Sequence, residues 1–217
     1  MFQKIKTLFF DYDGTIHFSE KIYIPAFRKA QEFLMETGHL KEKDLSDGEV
    51  TQFLGLIREE MWETYMPELP TDIQNRAGSI IGREMEELIR RGYAELYPGT
   101  LETLGYLKNK GYRLVFISNC GDNYLKNAQK AFPLGEFFED YFTAEAFGYI
   151  PKHQILGKVL DRFPEEHLII GDRKKDMDAG IKNQIKTIGC TYGYGTKEEL
   201  KEADLLIDDI RELRDHL

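Results

Sequence analysis

The feature that most constrains the fold is an alternation of helical and strand-like segments that occupies the chain after residue 98. Apolar residues at three- and four-residue spacing predict four helices, over 101–107, 123–131, 155–163 and 177–182. Short apolar runs predict the intervening and following strands, over 114–117, 141–143, 167–170, 187–190 and 205–207, and a closing helix comes last. Because repeated strand–helix units fold as a parallel sheet with helices on both faces, this part of the chain predicts an α/β fold.

The residues before this alternation have a different pattern. A buried strand is predicted over Ile5–Phe10, where an apolar run ends in acidic residues. From about residue 22 to residue 91, apolar residues recur at helical spacing, for example at Val50, Phe53, Leu54, Ile57 and Met61. This spacing predicts three or four amphipathic helices with no strand between them. We therefore predict a Rossmann-like core formed by residues 1–16 and 92–217, with residues 17–91 inserted as an all-helical cap domain.

The overall charge and the cysteine content limit the partners of the protein. Its 217 residues carry a formal charge of -9, whereas nonspecific nucleic-acid binding needs an excess of Lys and Arg. Cys120 and Cys190 belong to no zinc-binding pattern. No run approaches the ~18 apolar residues of a membrane helix, and the first residues contain no apolar signal segment. We expect a cytoplasmic protein without nucleic-acid or membrane partners, and the sequence does not indicate its oligomeric state.

Polar residues directly follow several of the predicted strands. In an open parallel sheet, ligands bind at the carboxyl ends of the strands, so these residues are candidates for one common site. Together with a lysine at the start of a predicted helix, the candidates are Asp11, Asp13, Ser118, Asn119, Lys152, Asp172 and Asp176.

Four of these candidates are carboxylates, which repel one another at neighbouring strand ends unless a cation lies among them. Oxygen ligands without a nearby histidine or cysteine indicate Mg²⁺. A phosphoryl group at this place would meet the metal, the hydroxyl group of Ser118 and the positive charge of Lys152. The sequence therefore predicts phosphoryl-transfer chemistry on a small phosphorylated metabolite.

Four short motifs occur here in the order that is typical of the haloacid dehalogenase superfamily. They are Asp11-x-Asp13-Gly14-Thr15, Ser118 at a strand end, Lys152 at a helix start, and Gly171-Asp172-x-x-x-Asp176. The chain resembles the phosphatases of this superfamily that carry a helical cap after the first motif, the C1 subfamily, such as the phosphoglycolate phosphatase group. The resemblance extends from Thr7 to about Leu213, and residues 194–200 are similar to the tail of that group.

This resemblance implies a role for each carboxylate. Asp11 would attack phosphorus and form a phosphoaspartyl intermediate, and Asp13 would act first as general acid and then as general base. Mg²⁺ would be bound by the carboxylate of Asp11, the backbone carbonyl of Asp13 and the carboxylate of Asp172. Asp176 would bind the ion directly or through water.

The remaining motif residues are implied to bind phosphate or substrate. Gly14 would allow the turn that brings backbone N–H groups to the phosphate, and Thr15 would fix that turn. Ser118, Asn119 and Lys152 would contact the phosphoryl group or the substrate.

The chain departs from the commoner family pattern at two places. Pro151 precedes Lys152, whereas the family often has lysine followed by proline, and the reach of this lysine therefore stays open. Arg173, followed by two lysines, stands where the family often has a small residue. This basic run is either an electropositive rim for the phosphate or a solvated cluster.

In the predicted cap, Arg58 and Trp62 lie four residues apart on one face of a helix. Arg58 is predicted to bind a carboxylate or a second anionic group of the substrate. The alternative is that both residues belong to a half-buried packing face, from which the arginine extends to solvent.

The function that these features predict is a Mg²⁺-dependent phosphate monoester hydrolase of the phosphoglycolate phosphatase kind. A dehalogenase is disfavoured, because Asp13 has no use in that chemistry. Two alternatives stay open: a phosphomutase of the β-phosphoglucomutase type, and a catalytically idle binding or regulatory protein of the same fold.

Overall fold

A six-stranded parallel sheet forms the centre of the molecule within residues 2–42, 45–163 and 166–217, which are the residues that the computed structural model describes. The strands are β1 (Ile5–Phe10), β2 (Arg113–Ser118), β3 (Phe138–Thr143), β4 (Glu166–Gly171), β5 (Lys186–Cys190) and β6 (Leu205–Ile207). Their order across the sheet is β3-β2-β1-β4-β5-β6. The order reverses direction at β1, so the carboxyl ends of β1, β2 and β4 lie side by side at the place where open α/β sheets bind ligands.

The central strand β1 is buried on both faces of the sheet. Leu8 and Phe10 pack into one hydrophobic cluster, and Phe9 between them packs into a second cluster on the opposite face. All three side chains are fully buried. A strand with two buried faces needs apolar residues at every position, and this requirement explains the continuous apolar run in the sequence.

Four helices follow β1 before the chain returns to the sheet. They are α1 (Glu20–Glu36), α2 (Asp47–Thr51), α3 (Arg58–Tyr65) and α4 (Thr71–Arg90). They enclose a hydrophobic cluster of their own, in which Phe27, Leu34 and Trp62 are almost fully buried. The predicted fold class, a parallel α/β core with a helical insertion after the first strand, is therefore confirmed. The residue boundaries of the cap, 17–91, stay a prediction.

Helices also cover the sheet itself, as predicted. They are α5 (Thr100–Asn109), α6 (Asp122–Ala131), α7 (Lys152–Val159), α8 (Lys174–Lys182) and the short closing α9 (Leu213–His216). Among the helices in the described part of the chain, none is long and apolar enough to cross a membrane.

Some element boundaries differ from the predictions. The apolar series that starts at Val50 is not one helix, because the chain leaves α2 and passes through Gly55 at φ +83° before α3 begins. A residue in this left-handed region interrupts helical geometry. The helix predicted over 155–163 begins earlier, at Lys152, and its last turn is a separate 3-10 turn over Leu160–Arg162. Strand β3 is longer than predicted, because the polar residues at its beginning lie on an edge strand, where they stay partly exposed.

Candidate active site

The first acidic motif begins where β1 ends. The backbone N–H of Asp11 donates to Ile170 O at 2.9 Å, so the residue still belongs to the sheet. The chain then turns back, with the N–H groups of Ile16 and His17 both donating to Tyr12 O. Gly14 has φ +82°, a value that disfavours any residue with a side chain. The turn therefore fixes Asp11 and Asp13 at the carboxyl end of the central strand β1.

Three of the four predicted carboxylates meet in one cluster. Oxygen atoms of Asp11, Asp172 and Asp176 lie within 4.8 Å of one another, and all three residues are buried. Two of them come from the ends of β1 and β4, which are paired neighbours in the sheet. The fourth, Asp13, is not part of this cluster, and its carboxylate contacts other residues.

Lys152 joins this cluster. Its Nζ donates to Asp11 Oδ1 at 2.7 Å and to Asp176 Oδ1 at 2.6 Å, and only 4% of the residue is exposed. The position of Pro151 does not prevent this contact, because the proline precedes the first turn of α7. When all groups are ionised, three carboxylates and one ammonium group leave two negative charges uncompensated. An all-oxygen cluster with this charge fits a divalent cation such as Mg²⁺.

The electrostatics of the cluster appear in the pKa values of its members. Burial, followed by the charge of Asp176, raises the pKa of Asp11 from 3.8 to about 7, although Lys152 opposes the shift. Burial and the charges of Asp11 and Asp176 raise the pKa of Asp172 well above its ordinary value. Burial alone would lower the pKa of Lys152, but its two carboxylate partners outweigh this effect and raise it. Without a cation, the cluster therefore favours protonation of Asp11 and Asp172.

Asp172 is enclosed by backbone from two turns. Its Oδ2 accepts from Tyr194 N at 2.7 Å, and its Oδ1 accepts from Thr15 Oγ1 at 3.3 Å. A Cβ atom added to Gly14 or Gly193 would lie 2.2 or 2.3 Å from the Asp172 side chain, and one added to Gly195 would lie 1.8 Å from its carbonyl oxygen. The turn over residues 193–195 is a part of the site that the sequence motifs did not identify, although residues 194–200 are similar to the family tail.

Asp13 is held by hydrogen-bond donors instead of by the acidic cluster. Its Oδ1 accepts from Ser19 Oγ at 2.5 Å and from Tyr124 OH at 2.8 Å, and His17 Nδ1 lies 3.4 Å away. His17 is fully buried and stacks on Tyr12 with 4.9 Å between the ring centroids. With both hydroxyl groups donating to Asp13, the proton is assigned to Nδ1 of His17, and the buried Nε2 has no hydrogen-bond partner among the described residues. The sequence motifs did not identify Ser19 or Tyr124.

The other predicted binding residues lie in different surroundings. Ser118 is buried, and its Oγ accepts from Cys120 N at 3.2 Å. The amide group of Asn119 donates to Gly55 O of the cap at 2.8 Å. Arg58 lines a cavity of about 230 Å³ that also contacts Asp13. Trp62 is 1% exposed inside the hydrophobic cluster of the cap, whereas Arg58, four residues earlier on α3, is exposed.

The basic run after Asp172 contacts the cap. Arg173 donates to Gln52 O at 3.1 Å and to Leu54 O, and its Nε donates to Glu199 Oε2 at 2.9 Å. Lys175 forms an ion pair with Glu60 of α3. These contacts, together with Asn119, tie the segment around Gly55 to the core directly beside the acidic cluster.

With this geometry in view, comparisons with known proteins place the chain in a family. A model of the haloacid dehalogenase-like hydrolases matches residues 8–190. The chain belongs to this family. It is therefore a haloacid dehalogenase-like hydrolase, and the resemblance inferred from its four motifs is confirmed.

Individual relatives agree with this membership. The chain is 30% identical over 126 residues to the phosphoglycolate phosphatase of Haemophilus influenzae, a match that covers 55% of this chain and 56% of that protein. It is 25% identical to the phosphoglycolate phosphatase of Vibrio vulnificus, with 98% of this chain and 96% of that protein covered. The match thus spans about half of the first relative and nearly all of the second. A haloacid dehalogenase-like family hydrolase from Streptococcus pneumoniae has the same fold, with a TM-score of 0.79, 21% identity and 99% of each chain covered.

The acidic cluster predicts how stability responds to pH when divalent metal is removed. Because the pKa of Asp11 is raised from 3.8 to about 7, the folded protein keeps a proton in this range that the unfolded chain has released. The resulting stabilisation is complete below about pH 4 and is lost as the pH rises through about 7. In the presence of a chelator, we expect the free energy of unfolding of the parent chain, measured by urea denaturation, to fall as the pH rises over this range. The free energy of unfolding of Asp11→Asn should fall less. Above about pH 7, adding Mg²⁺ should increase the free energy of unfolding of the parent chain more than that of the variant.

The matched control is Asp215→Asn, because Asp215 is exposed on α9 and lies outside the cluster. This variant should follow the parent chain at every pH. Identical pH profiles for the parent chain and Asp11→Asn, or equal stabilisation of both by Mg²⁺, would contradict the assignment of the cluster.

Proposed function

We propose that this chain is a magnesium-dependent phosphate monoester hydrolase that acts on a small metabolite through a phosphoaspartyl intermediate on Asp11. The observation that carries the proposal is the contrast between two aspartates that lie two residues apart. Asp11 is buried in the acidic cluster beside Lys152, whereas Asp13 borders a cavity and is held by hydroxyl groups. Different surroundings of this kind give two carboxylates different chemical roles.

The residues of the cluster fit the predicted metal ion. Asp11, Asp172 and Asp176 would supply carboxylate oxygens, and the backbone carbonyl of Asp13 would add a further ligand. Bound Mg²⁺ would compensate the excess negative charge and polarise the phosphoryl oxygens. Thr15 and the N–H group of Tyr194 orient Asp172, and they would keep it oriented as a ligand.

Asp11 is the nucleophile in this proposal. Lys152 occupies its Oδ1, and none of the residues in the described ranges donates a hydrogen bond to its Oδ2. An oxygen of this carboxylate forms a bond to phosphorus while the bond between phosphorus and the ester oxygen breaks. Lys152, fixed between two carboxylates, also places a positive charge beside the incoming phosphoryl group.

Asp13 transfers the proton in both halves of the reaction. Ser19 and Tyr124 hold its Oδ1, and its Oδ2 accepts no hydrogen bond from any residue that the structure describes. Protonated Asp13 donates to the departing ester oxygen, which leaves as an alcohol. The resulting carboxylate then takes a proton from the water that attacks phosphorus, so that inorganic phosphate is released and Asp11 is restored.

Arg58 is proposed to bind an anionic group on the departing part of the substrate. Its side chain lies against Gly78 of α4, where an added Cβ would come within 3.0 Å of the Arg58 Nε. The guanidinium group makes no hydrogen bond or ion pair with any residue in the described parts of the chain, although it borders the same cavity as Asp13. This exposed guanidinium group could pair with a carboxylate or a second phosphate in the cavity.

Hydrolysis of an aryl phosphate in the presence of Mg²⁺ tests the proposed chemistry. We expect Asp11→Asn to abolish turnover, because an amide is a poor nucleophile. Asp13→Asn should lower kcat by roughly 10²–10⁴-fold, since hydrolysis of the intermediate then lacks a general base. The measurement is release of inorganic phosphate, which also distinguishes a hydrolase from a phosphomutase.

Asp215→Asn serves as the exposed control and should keep the activity of the parent chain. Turnover that survives Asp11→Asn, or that is unaffected by chelation of the metal, is the result that would rule out this mechanism.

The role of Arg58 is tested with two substrates that differ in one group. For 4-carboxyphenyl phosphate, Arg58→Gln should raise KM about tenfold, the effect of losing about 1.5 kcal/mol of charge-assisted hydrogen bonding. For phenyl phosphate, which lacks the carboxylate, the KM should change much less. Arg83→Gln on the exposed surface of α4 is the matched control. Equal effects of Arg58→Gln on both substrates would show that Arg58 does not bind the anionic group.

A further inference from the structure

We infer that the leaving group of the substrate is a predominantly apolar alcohol of about the size of an aromatic ring. This inference rests on the proposed function, because it uses Asp13 as the proton donor to the ester oxygen. It concerns the cavity between the cap and the core, whose floor includes Asp13 and Tyr124. An ester oxygen that receives a proton from Asp13 has its carbon substituent in this cavity.

The walls of the cavity are largely apolar. From the cap they include Tyr23, Phe53, Leu54, Met61, Ile81 and Met85. Among the lining residues in the described ranges, Asp13, Arg58 and Glu86 are the charged ones. The cavity therefore offers few partners to the hydroxyl groups of a sugar, and each hydroxyl group buried without a partner weakens binding.

The size of the cavity points in the same direction. Its volume of about 230 Å³ exceeds the roughly 150 Å³ of an apolar cavity that accommodates a benzene molecule. A two-carbon acid such as glycolate would leave much of this space unfilled and would bring almost no apolar surface to the wall. Each methylene group of a substrate that is buried in an apolar pocket raises kcat/KM by about tenfold or more.

Two glycines of α4 line the cavity, and they differ in their surroundings: Arg58 lies against Gly78, whereas Gly82 borders open space. Gly78 and Gly82 are separated by one helical turn, and both line the cavity. An added Cβ at Gly82 would meet no atom within 4 Å, so this position borders free space. Glycine is unfavourable inside a helix, and most other residues at Gly82 would strengthen α4. A larger side chain at Gly82 would therefore narrow the cavity without disturbing the helix.

The experiment compares esters of primary alcohols, whose chemical reactivity is similar. The substrates are ethyl phosphate, glycerol 3-phosphate, 2-phosphoglycolate and 2-phenylethyl phosphate, each measured with the full chain and Mg²⁺. We expect kcat/KM for 2-phenylethyl phosphate to exceed that for ethyl phosphate and glycerol 3-phosphate by about 100-fold, and that for 2-phosphoglycolate, whose carboxylate Arg58 would bind, by about tenfold. Gly82→Leu should reduce the ratio of kcat/KM for 2-phenylethyl phosphate to kcat/KM for ethyl phosphate by tenfold or more, and Gly82→Ala should reduce this ratio less. Arg83→Leu, next to the cavity but outside its lining, should preserve the ratio.

A preference for 2-phosphoglycolate or glycerol 3-phosphate would overturn the inference and leave the proposed function intact. An equal effect of Gly82→Leu on all four substrates would likewise overturn it. If none of the four esters nor an aryl phosphate were hydrolysed, the proposed function itself would fail, and the inference would fail with it.

Discussion

The concentration of negative charge at the carboxyl ends of β1 and β4 is the constraint on which the rest of the site depends. Oxygen atoms of Asp11, Asp172 and Asp176 lie within 4.8 Å of one another, all three residues are buried, and Lys152 compensates only one of their charges. Buried carboxylates without compensation are costly, as the raised pKa of Asp11 indicates. The sheet fixes Asp11 and Asp172, and tight turns enclose them. The cluster therefore keeps an excess of negative charge that suits a divalent cation.

The carboxylate of Asp13 is separated from that of Asp11, although only one residue lies between them in the sequence. The turn through Gly14 directs Asp13 away from the acidic cluster and towards Ser19 and Tyr124, which lie in the cap segment and in α6. Asp13, the proposed general acid and base, is thus held at the junction of cap and core. The contacts of Arg173 and Lys175 with the cap bring the segment around Gly55 to the same junction. In the proposed mechanism, proton transfer and recognition of the leaving group would therefore both occur at this junction.

The sequence predicted those parts of the structure that local pattern determines. The run over Ile5–Phe10 identified β1, and strand-end positions identified the aspartates that meet in the cluster. It did not predict Tyr124 as a partner of Asp13, because 111 residues separate them and one tyrosine in an amphipathic helix has no distinguishing spacing. Nor did the apolar series from Val50 to Met61 reveal the break at Gly55, since a helical pattern of apolar residues can continue across a loop. Long-range pairing and backbone conformation, unlike periodicity, depend on the folded chain.

Direct detection of the phosphorylated aspartate tests the central claim. An aryl phosphate has a leaving group that departs without a proton donor, so Asp13→Asn should still be phosphorylated, whereas the loss of the general base should slow hydrolysis of the intermediate. After acid quenching and digestion, mass spectrometry should find one phosphoryl group on the peptide that contains Asp11, and none in the Asp11→Asn/Asp13→Asn double variant. A phosphoryl group on any other residue, or its absence while Asp13→Asn still turns over the ester, would contradict the account.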